Sequence, residues 1–235
     1  MNNQSIQHQV TLDIPEFIGF TEVVTLYEPI SNQLLVATPN LDTGNTDIIV
    51  WNAQSGTVYE INTHYADYCS ILTSCVGGEN QLFGLYGDEN NDISIFSIDV
   101  STNATENYQV EDLEYSEYGT PAYYLVFVKG NLYLTITNVT TQNVDFYAVS
   151  LDSNSNVATL KPIYQSQHTY FGSFPILLTT DQQYLLFVGA TDNTTLSVTM
   201  FNTNTQNLLN IPVPDAGDLI SQQPYSSFTY FSQSA

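Results

Sequence analysis

The chain has 235 residues, of which 24 are Asp or Glu and only two are Lys or Arg, so its formal net charge at pH 7 is −22. Nucleic acids and anionic membranes are bound through clustered basic side chains, and this composition excludes both as partners. It also excludes a sialidase-type site, because arginines would be needed there to hold the substrate carboxylate.

The beginning of the chain contains a short segment of alternating apolar and polar residues, 6–14, which we interpret as a terminal strand. Met1 to Phe20 lacks the basic start and the apolar core of a signal peptide. No apolar run approaches the roughly 18 residues of a membrane span. We therefore expect no direct membrane insertion, and an exported protein would be represented here in mature or excised form.

A unit of about fifty residues then recurs four times. The leading apolar anchors of the units are spaced by 48, 50 and 52 residues: Leu34, Leu82, Leu132 and Tyr184. Within each unit the apolar residues alternate with period two, and the turns are rich in Gly, Asn and Asp. In the second unit this predicts strands at 70–75, 81–86, 93–98 and 107–110. Repeats of this length that contain several short strands are typical of propeller blades.

The first unit reads Asp47 to Asn52 followed by Gly56 to Ile61, and it resembles blades of WD-repeat and YVTN-type propellers. Those blades share an apolar third strand that ends in Asp or Asn, a Gly-containing turn and a short fourth strand. The other units carry Ile98, Leu151 and Phe201 where the first has Trp51. The resemblance covers about residues 20–213 and implies the fold alone, with no functional residues.

We therefore expect an all-β protein, a single propeller domain over residues 1–235 with about four four-stranded antiparallel blades. The predicted blades span about residues 20–62, 68–111, 121–163 and 173–213. Terminal strands at 6–14 and 225–235 remain outside them. These strands complete a further blade around a closed ring, belong to a longer propeller, or pair with another chain, since exposed strand edges invite pairing.

Aromatic segments lead into the first strand of each unit, and a fifth such segment follows the last unit. Loops in these positions gather on one face of a propeller. The rings either pack between blades or form a tyrosine-lined ligand face at the channel mouth. The candidate ligand-binding residues on that face are Tyr65, Tyr68, Glu114, Tyr115, Glu117, Tyr118, Tyr170 and Tyr225.

Residues 111–118 form the densest acidic stretch, which we interpret as the longest loop between blades. Interleaved carboxylates and tyrosines suit a sugar, because rings stack on its apolar face and oxygens accept from its hydroxyl groups. A carboxylate-dependent glycosidase is the rival interpretation, with its acids drawn from Glu114, Glu117, Asp67 and Asp218. Only three histidines, His8, His64 and His168, are present for a nucleophilic triad. We expect no enzyme.

Two acidic segments, 42–47 and 88–92, offer oxygen donors of the kind that calcium prefers. Asp, Asn and Gly are also the residues that hairpin turns prefer, so we expect no metal and no cofactor, with calcium as the alternative. Cys69 and Cys75 would lie roughly 20 Å apart on one strand, which predicts two unpaired, buried thiols. Three glycosylation sequons lie in predicted turns, at Asn103, Asn138 and Asn193.

The polar residues are mainly Asn, Gln, Ser, Thr and Tyr, and this composition resembles that of exported surface proteins of acid-living microbes, archaea included. Below about pH 4 most carboxylates would be protonated and self-repulsion would fall. We expect an extracellular or cell-surface module, first in an acidic setting, then in a neutral one. Its expected partner is a protein, with self-assembly into a homo-oligomer or filament as one form, and glycan binding as the alternative.

Overall fold

The computed structural model describes residues 24–28, 33–40, 45–52, 55, 58–63, 70–78, 80–87, 92–99, 101–102, 104–114, 122–138, 143–165, 177–179, 181–190 and 195–215. All regular elements in these ranges are β-strands, and they form four successive units of four strands each. Among these residues no helix is long and apolar enough to span a membrane.

The first unit contains β1 (Val24–Glu28), β2 (Gln33–Asn40), β3 (Asn45–Asn52) and β4 (Val58–Thr63). The second contains β5 (Ser70–Gly77), β6 (Gln81–Gly87), β7 (Asp92–Asp99) and β8 (Ala104–Glu114). The third contains β9 (Ala122–Val128), β10 (Asn131–Asn138), β11 (Asn143–Asp152) and β12 (Val157–Gln165). The fourth contains β13 (Leu177–Leu178), β14 (Tyr184–Ala190), β15 (Leu196–Asn202) and β16 (Leu208–Val213).

Within every unit the strands pair antiparallel in chain order, as the alternating sequence predicts. The four predicted strands of the second unit are confirmed, and the structure extends each of them. A left-handed backbone at Lys129 and Gly130, with φ of 50° and 79°, closes the tight hairpin between β9 and β10.

The turn after the third strand is built in the same way in all four units. An Asp or Asn at the end of the strand accepts backbone hydrogen bonds from the turn, which satisfies donors that the ladder leaves open. These bonds run from Ser55 N to Asn52 Oδ1 at 2.9 Å, from Ser101 N to Asp99 Oδ1 at 2.8 Å, from Asn154 N to Asp152 Oδ1 at 2.9 Å, and from Asn204 N to Asn202 Oδ1 at 2.9 Å. This local role explains the repeated Asp or Asn.

The second, third and fourth units stack face to face, and two apolar cores lie between them. The first core joins the second and third units through side chains such as Phe83, Ile95 and Leu134. The second joins the third and fourth units through Tyr133, Phe146, Leu185, Phe187 and Phe201. Burial of both sheet faces explains why the central strands carry long apolar runs.

The outer strands of the second and third units also pair with each other. β8 and β12 run parallel, with Gln109 opposite Val157 and Val110 opposite Ala158, and Gln109 N donates to Asn156 O at 3.0 Å. Their eight strands therefore form one mixed sheet. The other two edges of this sheet are β5 and β9. They also approach each other, because Leu125 N in β9 donates to Thr73 Oγ1 in β5 at 3.3 Å, so the sheet is nearly closed.

Two predictions about loops were wrong in part. Residues 111–114 were expected in a loop, but they belong to β8, where Glu114 lies opposite Asp92 across a register shift. Residues 45–47 were expected in an acidic turn, but they begin β3. β8 accommodates this because its side chains alternate in exposure: Gln109 and Glu111 are exposed, whereas Tyr108 and Val110 on the other face are buried.

Cys75 is a free and buried thiol in β5, as predicted. Cys69 lies outside the described residues, as do the predicted terminal strands at 6–14 and 225–235. The extent of the domain and the number of blades in a closed ring stay predictions.

Candidate functional site

Most of the predicted site residues lie outside the described residues, and their roles stay predictions. These are Tyr65, Tyr68, Tyr115, Glu117, Tyr118, Tyr170 and Tyr225, together with Asp67, Asp218, the three histidines and the sequon residues Asn103 and Asn193. Glu114 is placed at the end of β8, opposite Asp92. Asn138 is placed at the end of β10, opposite Asn143, where the hairpin to β11 turns.

Two tyrosines and a carboxylate lie near the end of the third unit at which β10 turns into β11. Tyr123 in β9 and Asp145 in β11 both pair with Ile136 in β10, so the three residues share one face of the sheet. Tyr147 follows two residues after Asp145 and points to the same face. We call Tyr123, Asp145 and Tyr147 the tyrosine–carboxylate cluster.

The electrostatics of this cluster depend on Asp145. Burial raises the pKa of the Tyr147 hydroxyl above its usual value, and the negative charge and hydrogen bond of Asp145 raise this pKa further. Asp145 Oδ1 is buried without a hydrogen-bond partner among the described residues. A buried carboxylate oxygen with unused acceptor capacity can bind a hydroxyl or amide donor from a ligand.

The sequence placed Tyr123 in an aromatic segment but did not reveal Asp145 and Tyr147. The sequence nevertheless contains a signal for both residues. In β11 a polar residue and a tyrosine take two positions on the face that otherwise carries the apolar Val149 and Leu151. Their approach to Tyr123 depends on strand register, which was not predicted.

A second polar group joins the second and third units at the opposite end of the sheet. The Tyr108 hydroxyl donates to the Glu106 carboxylate, and Ser153 Oγ donates to Glu106 Oε2 at 3.3 Å and lies 3.1 Å from the Tyr108 oxygen. Burial raises the pKa of Tyr108, and the bond to Glu106 raises it further. The three side chains bind one another beside the parallel pair of β8 and β12, which indicates a structural contact.

The outermost strand of the fourth unit is exposed and apolar. Leu208, Leu209, Ile211 and Val213 are 37%, 58%, 39% and 38% exposed. Residues 206–214 carry no charge, although the chain as a whole is strongly acidic. Contiguous apolar surface on a soluble protein marks an interaction site more often than scattered single residues do.

Strand register shows which side of the fourth unit this surface covers. Phe201 and Leu185 are paired and pack against the third unit. The alternate residues therefore face away from the third unit. In β16 these are Leu209, Ile211 and Val213, which are exposed. Beside them lie the half-buried Val198, Met200 and Leu186, and the same face also carries Leu196 and Val188, which are buried. We call the six exposed and half-buried residues the tail face.

No group of three or more His, Cys, Asp or Glu side chains within the described ranges is placed to hold a metal ion. The two acidic segments proposed for calcium lie partly outside those ranges, and calcium there stays a prediction.

No protein-family model and no curated protein sequence matches the chain. Similar solved structures include AofleA from Arthrobotrys oligospora, with a TM-score of 0.51 and 8% identity over 83% of this chain and 56% of that one. A triple mutant of AofleA gives 0.50 and 9% over 83% and 57%. A prolyl endopeptidase gives 0.50 and 9% over 82% and 29%.

The chain thus spans little more than half of the AofleA chains and less than a third of the peptidase. At such low identity the likeness concerns the fold alone. Together with the four-stranded antiparallel units it confirms the predicted all-β propeller fold. The choice between WD-repeat and YVTN-type blades stays a prediction.

Proposed function

We propose that this propeller is a protein-binding and assembly module of the cell surface or extracellular space, and that the tail face is its main contact surface. The observation that carries the proposal is the exposed, uncharged apolar strand β16 at the outer edge of the fourth unit. Leaving the exposed Leu209, Ile211 and Val213 of the tail face in water is unfavourable, and a partner that buries them recovers about 25 cal/mol per Å² of apolar area.

The composition supports the proposed setting. A net charge of −22 at pH 7 produces self-repulsion between copies, and this repulsion would fall in an acidic exterior as carboxylates become protonated. The tail face carries no ionisable side chain, so its apolar contact does not depend on pH. An acidic environment would therefore strengthen association without changing the contact itself.

The polar group between the second and third units supports a structural role. Glu106, Tyr108 and Ser153 bind one another across the two units. Glu114 lies at the end of β8 and Glu117 lies outside the described ranges, so a glycosidase site that uses both residues stays an alternative.

The test places a photo-reactive amino acid at Leu209 and, in a control variant, at Thr159 on β12, which is exposed on another unit. Illumination of the protein in its own cell-surface fraction should give a discrete cross-linked adduct from position 209 and none from position 159. Equal labelling from both positions, or no adduct from position 209, would contradict the proposal.

The alternative is glycan binding, and the tyrosine–carboxylate cluster favours it. Asp145 Oδ1 is buried without a partner among the residues described, and rings of Tyr123 and Tyr147 lie on the same sheet face. The Asp145→Asn variant keeps the shape but loses the charge and one acceptor. Reduced retention on a panel of immobilised glycans would support this alternative.

The rival interpretation, a carboxylate-dependent glycosidase, is distinguished from the binding module by an assay of hydrolysis. Glu114→Gln and Glu117→Gln remove the carboxylates that would act as acid and base. Loss of measurable hydrolysis in both variants would favour the enzyme, whereas unchanged association with no turnover in any variant would favour the module.

A further inference from the structure

Two threonines lie buried in the contact between the third and fourth units. Thr135 in β10 is 2% exposed and Thr199 in β15 is 1% exposed. The Oγ1 atoms of both are buried and bind no partner anywhere in the part of the chain that the structure describes. A hydroxyl group loses its hydrogen bonds to solvent when it is buried, so it destabilises the fold unless another group replaces them.

Both side chains point into the same interface. Thr135 follows Tyr133 by two residues, and Thr199 precedes Phe201 by two residues, so each threonine shares a sheet face with that aromatic residue. Tyr133 and Phe201 belong to the core that joins the third and fourth units. Each hydroxyl group therefore faces the other unit.

The strands β10 and β15 run in opposite directions across this interface. Lys129 Nζ, just before β10, donates to Asn204 Oδ1, just after β15, at 2.7 Å. Further along β10 and further back along β15, the ring centroids of Tyr133 and Phe201 are 5.5 Å apart. Two more residues along β10 and two more back along β15 place the two threonines opposite each other.

The neighbouring strands support this placement. Thr135 pairs with Phe146 in β11, and Thr199 pairs with Phe187 in β14. The centroids of these two rings are 4.8 Å apart. Ladder partners have their Cβ atoms about 5 Å apart, so both hydroxyl groups lie beside this pair of rings. Aromatic rings accept only weak hydrogen bonds and do not replace the bonds lost to solvent.

Polar side chains continue from the threonines toward solvent. Ser197 lies two residues before Thr199 on the same face, is 2% exposed, and donates its hydroxyl hydrogen to Asn210 Oδ1 in β16. Asn210 pairs with Thr199 and is exposed. Gly189, opposite Ser197, has no side chain to fill this layer. A small molecule can therefore reach the layer from the outer edge of the fourth unit.

The chemistry of this layer selects a neutral ligand. None of Thr135, Ser197, Thr199 and Asn210 is ionisable, so no charged side chain among them holds an ion. A hydroxyl group donates one hydrogen bond and accepts up to two, which suits either end of a water molecule. Buried waters in proteins typically make about three hydrogen bonds to groups that otherwise lack partners.

We propose that one ordered water molecule binds between Thr135 Oγ1 and Thr199 Oγ1 and links the third unit to the fourth. The bond between Lys129 and Asn204 lies at the other end of the aromatic contact. The two polar links together fix the orientation of the fourth unit on the third. This site lies on the face opposite the tail face, and it does not depend on the proposed function.

The test removes each hydroxyl group while keeping nearly the same side-chain shape. Thr135→Val, Thr199→Val and the double variant of the full chain are compared with the wild type by urea denaturation. The matched control is Thr203→Val. Thr203 is also buried, at 7% exposed, but its hydroxyl group donates to Gln182 O at 2.7 Å.

Each single variant should lower the equilibrium constant for folding by about three- to tenfold, because the water and the remaining threonine lose a shared hydrogen-bond partner. The double variant should lose much less than the product of the two single losses, because it removes both polar groups at once. Thr203→Val and Thr135→Val should instead combine independently.

The inference is wrong if either single variant is as stable as the wild type or more stable, because that hydroxyl group then has no partner to lose. It is also wrong if the two losses simply multiply in the double variant, because the threonines then share no ligand. A crystal structure identifies what they share. A water within about 3.2 Å of both oxygen atoms supports the proposal, whereas a direct bond between the two hydroxyl groups would overturn it.

Discussion

The rings of Tyr133 and Phe201 meet edge to face across the boundary between the third and fourth units, with their centroids 5.5 Å apart. Phe146 lies between them and Phe187, at 5.0 Å from Phe201 and 4.8 Å from Phe187. Aromatic pairs in this geometry add to the free energy gained from burial. The four rings therefore form the main apolar link between these two units.

Phe201→Ala should lower the free energy of unfolding by about 3–5 kcal/mol, because it leaves a cavity among fully buried rings. Leu208→Ala is the control, because Leu208 follows Asn207 on the exposed strand β16. The free energy of unfolding of this variant should fall by less than about 1 kcal/mol. Urea denaturation measures both. Equal losses would contradict the assignment of the core.

Gly84→Ala should destabilise the second unit. Gly84 lies directly opposite Phe96, whose ring covers it so closely that an added methyl group would overlap ring atoms. Over-packing of this kind costs about 1–3 kcal/mol. Adding Phe96→Leu should recover part of the loss, and simple additivity of the two substitutions in thermal unfolding would show that the predicted contact does not exist.

The turn carboxylate of Asp99 should make stability depend on pH in the acidic range. Hydrogen bonds from Ser101 hold the pKa of Asp99 below its usual value, with further bonds from Thr102. A carboxyl whose pKa is lower in the folded state contributes stability above its unfolded pKa of about 4 and loses it as the pH falls through the folded value.

Asp99→Asn preserves the acceptor, since Asn52 and Asn202 serve the same role in their turns. The variant should fold normally at pH 7 and should show a shallower loss of stability below about pH 4. Denaturation curves at a series of acidic pH values measure this slope. An unchanged slope would exclude Asp99 as a contributor.

Tyr108 should make the protein sensitive to alkaline pH. Its pKa is raised by burial and by Glu106, so the folded state holds the phenolic proton more tightly than the unfolded state does. The resulting stability is fully present below the unfolded pKa of about 10 and is lost as the pH rises through the higher folded value. Tyr108→Phe should reduce this alkaline slope, and an identical slope would contradict the prediction.

Cys75 should react with thiol reagents only when the second unit opens. Burial raises the pKa of its thiol well above the usual range, which suppresses the reactive thiolate. In a Cys69→Ser background the labelling rate should follow the rate of unfolding and increase with denaturant. Fast labelling under native conditions would show that this strand is not buried.

The strands could be predicted from sequence because alternation is a local signal. The repeat also located the Asp and Asn residues that close the third turn of each unit, among them Asp152. The acidic run at 111–114 misled the prediction, because charge was taken to indicate a loop although β8 can expose those side chains at its edge.

Contacts between distant residues could not be predicted in the same way. The parallel pairing of Gln109 with Val157 and the approach of Tyr123 to Asp145 depend on how sheets stack and on register. The apolar run of β16 is visible in the sequence, but the face to which Leu209 belongs is known only from its pairing with Met200.

Absolute mass by light scattering across a concentration series tests assembly through the tail face. The wild type should exceed the monomer mass as concentration rises, and Leu208→Glu should behave as the wild type does, whereas Leu209→Glu should remain a monomer over the same range. A monomer mass at every concentration for the wild type, together with no cross-linked adduct at position 209, would contradict it.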